Sequence, residues 1–409
     1  MNYKKNVLAL MTGAGIAQAI PILISPLLTR LYTPQDFGML AFYLSLSAVL
    51  SVFATGRYDL ALIEPAQDAE ARGLLFAGLL ISVVFSLSLA AIFVFLAPYI
   101  SDWSGKPDAA KWIMLVPFIV FSSSCYSLFT YWLNRNKNFS GMNASRILNS
   151  VAIAGLSLGL AFTDVRPYGL LLGYMIGQFS TVTYQWFVHI KKENSQPRSK
   201  LWEVCKEYSR YPKFLIPSTL AGTVAGESPV LLLTRFFDAS VAGLFSFVNR
   251  VTVSPMSIIG NSIGEVYRVR AAEHYQIKGE CLEIFKRHLI VLFLMGFIPW
   301  LILFSSGPIL FSIVFGEQWR AAGEMAIVLS FVVWFQLAST PLSYTIAFNR
   351  SQHLDLYLQI FRLIGSIASM LSGFYMNDYM LSIKLLTITY CTYYLGHTFI
   401  QYRAAKGVQ

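Results

Sequence analysis

An all-α integral membrane protein, with about 12 transmembrane helices in two pseudo-symmetric six-helix lobes, is the fold class that three observations predict. Apolar residues make up 56% of the 409 and charged residues 13%, against about 25% charged in a soluble domain. About a dozen apolar runs are long enough to cross a hydrocarbon core of ~30 Å, which takes roughly 20 helical residues. The third observation is an internal repeat. The stretch LLTRLYTPQDFGMLAF, from Leu27 to Phe42, returns as LLTRFFDASVAGLFSF, from Leu232 to Phe247. One shift of 205 residues sets Thr29 on Thr234, Arg30 on Arg235, Gly38 on Gly243 and Phe42 on Phe247 without a gap.

Each copy reads as an apolar helix, a tight reversal marked by Arg, and a second apolar helix. Thr33 is placed to cap a helix that begins with Pro34 and carries Asp36 in its first turn, and Asp238 takes the corresponding place in the second copy. Lobes of 1–190 and 214–409 follow, joined by a basic linker, 191–213. Six crossings per half start both copies on the same side, so the repeat is parallel, about an axis along the membrane normal.

A formal net charge of +10 raises the question of a nucleic-acid partner. Most Lys and Arg, however, fall in the segments on the N-terminal side of the membrane. That is the positive-inside distribution, which places both termini in the cytoplasm and explains the charge without nucleic acid. Cys125, Cys205, Cys281 and Cys391 have no paired spacing, and the His residues have no metal-ligand spacing, so neither disulfides, a metal nor a cofactor is expected. The N-terminal apolar run, reaching Leu28, is too long for a signal peptide and is expected to stay as helix 1.

In chain order, helix 1 (Asn6 to Leu31) contains Pro21 and Pro26 as kink sites. Helix 2, from Pro34, is expected to continue through Arg57, Asp59 and Glu64 to Pro65, with Arg57 and Glu64 on one face and Asp59 elsewhere. Helix 3 (Gly73 to Ala97) leads to an outward loop holding Asp102, Lys106 and Asp108, then helix 4 (Trp112 to Leu133) and a cytoplasmic Asn134-Arg135 turn. Helices 5 and 6 (Phe139 to Phe162, Tyr168 to Ile190) carry Gly155, Gly159, Gly169, Gly173 and Gly177, a small-residue spacing that permits close helix approach. The linker reads as an amphipathic segment on anionic lipid. Helix 7 (Phe214 to Phe237) is interrupted by Pro217 and Pro229, and helix 8 (Ser240 to Ile263) is followed by a basic loop from Glu265 to His288. Helix 10 spans Gly323 to Phe348, and Asn349-Arg350 opens a cytoplasmic turn before helix 11 (Leu354 to Met376), matching Asn134-Arg135 in the first half.

Charges inside helices are costly, about 2.5–3.5 kcal/mol for a central Arg on the insertion scale, and tend to face a bundle interior or a wet cavity. Arg250 and Glu227 each lie about 15 Å below the outer end of adjacent helices. Either they neutralise each other as an ion pair, or Arg250 meets an anionic substrate while Glu227 carries a proton. Arg146 and Arg362 hold matching positions in helices 5 and 11, one per lobe. Lys384, near a helix end, can snorkel to the interface, and Arg30 and Arg235 at the outer reversals have a structural role at least as strongly as a binding one.

LLTRLYTPQDFG, followed by an apolar stretch and GRYDLALIEP, resembles the start of bacterial polysaccharide biosynthesis proteins of the O-antigen flippase (Wzx) type. These belong to the multidrug/oligosaccharidyl-lipid/polysaccharide exporter (MOP) superfamily, and the resemblance is specific over Leu27 to Pro65. It implies a MATE-like fold and transport, for lipopolysaccharide biosynthesis, of an undecaprenyl-diphosphate-linked oligosaccharide from the cytoplasmic to the periplasmic face of the cell inner membrane. It also implies work alongside a polysaccharide polymerase and a chain-length regulator. The cationic lumen falls on Arg146, Arg250 and Arg362, with Arg57 at its rim, because guanidinium donors match phosphate oxygens. Glu227 and Asp59 are the carboxyls for coupling to a proton or sodium gradient, or for ion pairing. The alternatives are a MATE-like multidrug or cation antiporter, which would need unpaired acids in its lumen, and a membrane glycosyltransferase or O-antigen polymerase, which would need a large outward loop.

An alkaline phosphatase fusion after Lys106 is expected to be active and one after Lys200 inactive; the reverse pattern would overturn the orientation.

Overall fold

The computed structural model describes residues 3–104, 112–191, 199–348 and 352–407. Among these residues every regular element is helical, which is what a hydrocarbon solvent with no hydrogen-bond partners requires of a spanning chain that does not close into a barrel. The long helices are α1 (Tyr3–Leu31), α2 (Pro34–Ala54), α3 (Asp68–Ser104), α4 (Val116–Arg135), α5 (Phe139–Leu160) and α6 (Gly169–Gln185) in the first half. In the second they are α7 (Ile216–Phe236), α8 (Ala239–Lys278), α9 (Leu282–Phe315), α10 (Arg320–Ser339), α11 (Gln352–Tyr375) and α12 (Tyr379–Ala405). Eight of them are long and apolar enough to cross a membrane by composition alone. The others, α5, α6, α7 and α12, are shorter or more polar, as Asn143, Arg146 and Asn149 illustrate in α5.

Helix packing repeats with a shift of six. In the first half α3 packs on α4, α4 on α6 and α5 on α6; in the second α9 packs on α10, α10 on α12 and α11 on α12. Packing density divides the chain into two units. One comprises Met1–Tyr32 with Met39–Glu227, the other Thr33–Gly38 with Ser228–Gln409.

In the first unit, a buried cluster around Leu62, Leu74, Leu128, Phe129 and Trp132 ties α3 and α4 together. Gly173 and Gly177 of α6 let it lie against the α5 backbone: an added Cβ would come 2.7 Å from the backbone nitrogens of Ser157 and Ile153, respectively. Gly155 and Gly159 differ from expectation, because a Cβ at either meets nothing within 4 Å. The described part of the linker docks on the first unit. Its turn Leu201–Glu207 buries Val204 against Gly73, and Ser199 N–H donates to the Ala69 carbonyl at 3.0 Å.

In the second unit, the first turn of α2 packs on the start of α8, so that the two copies of the repeated motif meet. A Cβ on Gly38 would strike the Ala239 carbonyl, and one on Gly243 the Pro34 carbonyl. Phe37, Phe247 and Trp319 close around this contact, with ring centroids 4.4–5.4 Å apart. The capping of α2 follows the sequence: Thr33 N–H and Oγ1 donate to Asp36 Oδ2 at 2.8 and 2.9 Å, and Asp238 stands at the N-cap of α8.

Three expected boundaries move. The basic segment after α8 is not a loop, for the helix runs 40 residues to Lys278 and turns at Gly279, φ 73°. At 1.5 Å per residue it is about 60 Å long, twice the hydrocarbon thickness, so its charged end projects beyond the apolar zone. The expected tenth helix breaks before Phe348: Pro341 lies in a 3₁₀ turn, Thr340–Leu342, after α10. Pro217 begins α7 rather than interrupting it, and only Pro229 is internal. The expected Asn349-Arg350 turn, and Lys106 and Asp108, lie outside the described residues.

Gly38→Val and Gly243→Val should each lower the unfolding temperature of the solubilised protein, by overpacking of about 1–3 kcal/mol. Gly155→Ala should leave it within about 0.5 kcal/mol of wild type. Light-scattering or tryptophan-fluorescence melts check both.

Candidate functional site

In the first unit the expected continuation of helix 2 through Arg57, Asp59 and Glu64 does not occur. Gly56 and Arg57 both take left-handed backbone, φ 59°, which ends α2 at Ala54 and leaves only the turn Tyr58–Ala61 beyond it. A glycine two residues past the last helical one is a common helix stop. Arg57 and Glu64 therefore share no helical face. Asp59 is buried and accepts hydrogen bonds from Thr55 Oγ1 at 2.9 Å and Ser127 Oγ at 2.8 Å. Arg57 has its Nε buried without a partner.

Glu64 pairs with Arg210 and accepts from the Tyr211 hydroxyl at 2.6 Å. With Tyr58 Oη donating to the Cys205 carbonyl at 3.0 Å, it fastens the linker to this unit. The Tyr211 hydroxyl, and then the Arg210 guanidinium, hold the Glu64 carboxyl below the usual carboxylate range. Arg135 also serves the frame: it donates to the carbonyls of Leu62 and Pro65 and pairs with Asp68.

Arg146, on α5, lies within electrostatic reach of the Tyr126 phenol of α4. Glu227, on α7, accepts from Ser45 Oγ at 2.6 Å. It lines a cavity of about 320 Å³ together with Ser47, Ser51, Ser123, Tyr174 and three aliphatic side chains.

In the second unit, Arg250 is half-buried on α8. Arg362, on α11, rests over the rings of Tyr393 and Tyr390, 5.0 and 5.8 Å from their centroids, an attraction between a cation and the ring quadrupole. Among the described residues, none of Arg57, Arg146, Arg250 and Arg362 has a carboxylate oxygen within 4.0 Å inside its own unit. Arg30 and Arg235 are exposed, while their neighbours Thr29 and Thr234 are buried and bond back to Pro26 and Val230 carbonyls. Lys384 is exposed.

Beside Arg362 lies a polar network that the sequence did not single out. Gln401 Nε2 donates to the Ser339 carbonyl at 3.1 Å and to His397 Nδ1 at 2.9 Å. An amide NH₂ can only donate, so Nδ1 is an acceptor and the ring hydrogen sits on Nε2. Nε2 points toward Asp355 Oδ1, 3.5 Å away. Gln359 donates to the Tyr393 hydroxyl at 3.0 Å. The visible signal was Asp355, Gln359 and Arg362 at i, i+4 and i+7, a polar stripe on an apolar helix.

A family model described as "Polysaccharide biosynthesis protein" matches residues 27–324. The succinoglycan biosynthesis transport protein ExoT of Rhizobium meliloti (strain 1021) is 24% identical over 246 residues, 58% of this chain and 47% of the relative. The teichuronic acid biosynthesis protein TuaB of Bacillus subtilis (strain 168) is 22% identical over 251 residues, 60% and 50% of the two chains. The chain thus spans about half the length of the curated relatives it matches. Among solved structures, the lipid II flippase MurJ in an inward closed conformation superposes with a TM-score of 0.74 at 13% identity, covering 96% of this chain and 89% of that one. The MATE multidrug transporter DinF-BH does so at 0.65 and 13%, covering 99% and 97%. At these identities the likeness is one of fold.

Depression of the Glu64 pKa means that its contribution to linker docking is present above the ordinary carboxylate range, about 4.3, and is lost as pH falls through the lowered value. Hydrogen–deuterium exchange over 199–215, expressed as protection relative to the intrinsic amide rate at each pH, should show strong protection at pH 7 and weaker protection once Glu64 is protonated. Glu64→Gln should exchange fast already at pH 7.

Proposed function

Because the chain belongs to the polysaccharide biosynthesis protein family, we propose that it is a flippase for an undecaprenyl-diphosphate-linked oligosaccharide. In this reading an O-antigen-type repeat unit passes by alternating access from the cytoplasmic to the periplasmic face of a bacterial inner membrane, with both termini cytoplasmic. The observation that carries the reading is the set of guanidiniums on Arg57, Arg146, Arg250 and Arg362 without carboxylate partners inside their units. An Arg in a membrane helix is costly unless something compensates it. A diphosphate supplies the missing charge in a shape that guanidinium matches, with paired N–H donors to paired oxygens.

Arg362 is the best supported of the four. Its resting place on Tyr390 and Tyr393 is a neutral stabilisation that a phosphate oxygen can outcompete, whereas a resident carboxylate would hold the guanidinium fast. A cation antiporter has less support: Asp59 is satisfied by two hydroxyls and Asp355 faces His397, which leaves the cavity-lining Glu227, with Ser45 as its donor, against the four guanidiniums. Coupling to a proton or sodium gradient belongs to the same proposal, with Glu227 and Asp59 as its carboxyls. Delivery to a polysaccharide polymerase and its chain-length regulator follows from the same direction of transport.

Arg362→Ala should reduce surface-polysaccharide export at least about tenfold in cells lacking the wild-type protein, at equal membrane abundance. Arg362→Lys should restore part of it, since the charge survives and the fork geometry does not. Full export by the Ala variant would remove Arg362 from the mechanism.

A further inference from the structure

The cavity beside Glu227 is built for hydroxyl groups. Its polar wall comes from helices of the first unit: Ser47 and Ser51 one turn apart on α2, Ser123 on α4, Tyr174 on α6, and Glu227 at the middle of α7. Ser47 and Ser51 have buried hydroxyl oxygens with no hydrogen-bond partner, and Ser47 is only 3% exposed. Ser123 receives Gln178 Nε2 at 3.0 Å, while Gln178 Oε1 is also buried without a partner. Serine in an apolar helix ordinarily satisfies itself on the carbonyl three or four residues back, as Ser82 and Ser124 do here. Two serines one turn apart that do not, both on one cavity wall, are held in readiness for something else.

We infer that this cavity is a saccharide subsite, which takes one sugar ring of the lipid-linked oligosaccharide and reads its hydroxyls. The inference rests on the flippase reading above and adds to it where the glycan is recognised. The volume, about 320 Å³, lies at the small end of ligand pockets, roughly 300–1,000 Å³. A dehydrated metal ion would leave most of that space empty, and a single carboxylate is a thin shell for a cation that takes several oxygen ligands. A diphosphate would meet the Glu227 charge as a repulsion. An apolar compound would leave the serine hydroxyls as they are, unpaired. A pyranose ring has both donors and acceptors. Its hydroxyls can donate to Glu227, whose other partner is Ser45, and accept from Ser47 and Ser51, while its C–H face lies on the aliphatic wall.

The test is a comparison of two lipids on the full chain in nanodiscs, read by native mass spectrometry: undecaprenyl diphosphate, and the same lipid carrying one hexose or N-acetylhexosamine. Wild type is expected to prefer at least one of the glycosylated lipids by roughly tenfold. In Ser47→Ala/Ser51→Ala the ratio should fall to about one, with no loss of thermal stability, because the hydroxyls removed have no partner in the folded protein. Glu227→Gln, which keeps the shape and the Ser45 contact, should lower the preference as well. An equal affinity of wild type for all the lipids, or a preference that survives the double substitution, overturns the subsite while leaving the flippase reading intact. Failure of wild type to bind any of these lipids overturns both.

Discussion

Hydrocarbon offers a polar group nothing, and each polar feature of this chain is shaped by that constraint. Backbone groups answer it by closing on themselves within helices. Hydroxyls answer it by bonding back along the helix, as Thr29 and Thr234 do at the same place in the two copies of the repeated motif. Asp59 takes two hydroxyl donors, and Arg362 lies on two tyrosine rings. Among the groups left unanswered, two sets bear on function: guanidiniums without carboxylates in their units, and two serine hydroxyls on one cavity wall. In the proposed flippase the cargo would complete these groups.

The repeated motif proves to be a packing device. Gly38 and Gly243 carry no side chain because each faces a backbone carbonyl of the other copy, and Phe37, Phe247 and Trp319 wrap that contact. Arg30 and Arg235, the most visible residues of the motif, are exposed, and the threonines beside them are the buried ones. The conspicuous charge marks the end of a helix, and the silent glycine fixes the geometry.

How much of this could be read from the chain follows from what a linear pattern encodes. Apolar length and a shift of 205 residues gave the helical fold and the six-plus-six order, since both are one-dimensional properties. The break after Ala54 was missed because Gly56 looks like an ordinary helix glycine until its positive φ is known. The run from Glu265 to Lys278 reads as a loop if charge is equated with the end of a helix, whereas a helix leaving the membrane becomes polar without stopping. Gly155 and Gly159 show that small-residue spacing permits close approach without compelling it. The partners of Glu64 lie 146 and 147 residues away, and His397 meets Ser339 across 58. Contacts of that separation leave no periodicity to detect, and neither does a cavity.

In the proposed function, the guanidiniums that lack a carboxylate within their units serve a polyprenyl-linked diphosphate saccharide. Purified protein in liposomes loaded with a dansylated undecaprenyl-diphosphate saccharide measures it most directly, with an impermeant quencher or glycosidase outside reporting transbilayer movement. The account predicts that movement of this lipid is accelerated over protein-free liposomes, and that efflux of a cationic rhodamine dye from the same vesicles is not. Efflux of the cationic dye without movement of the glycolipid would contradict it.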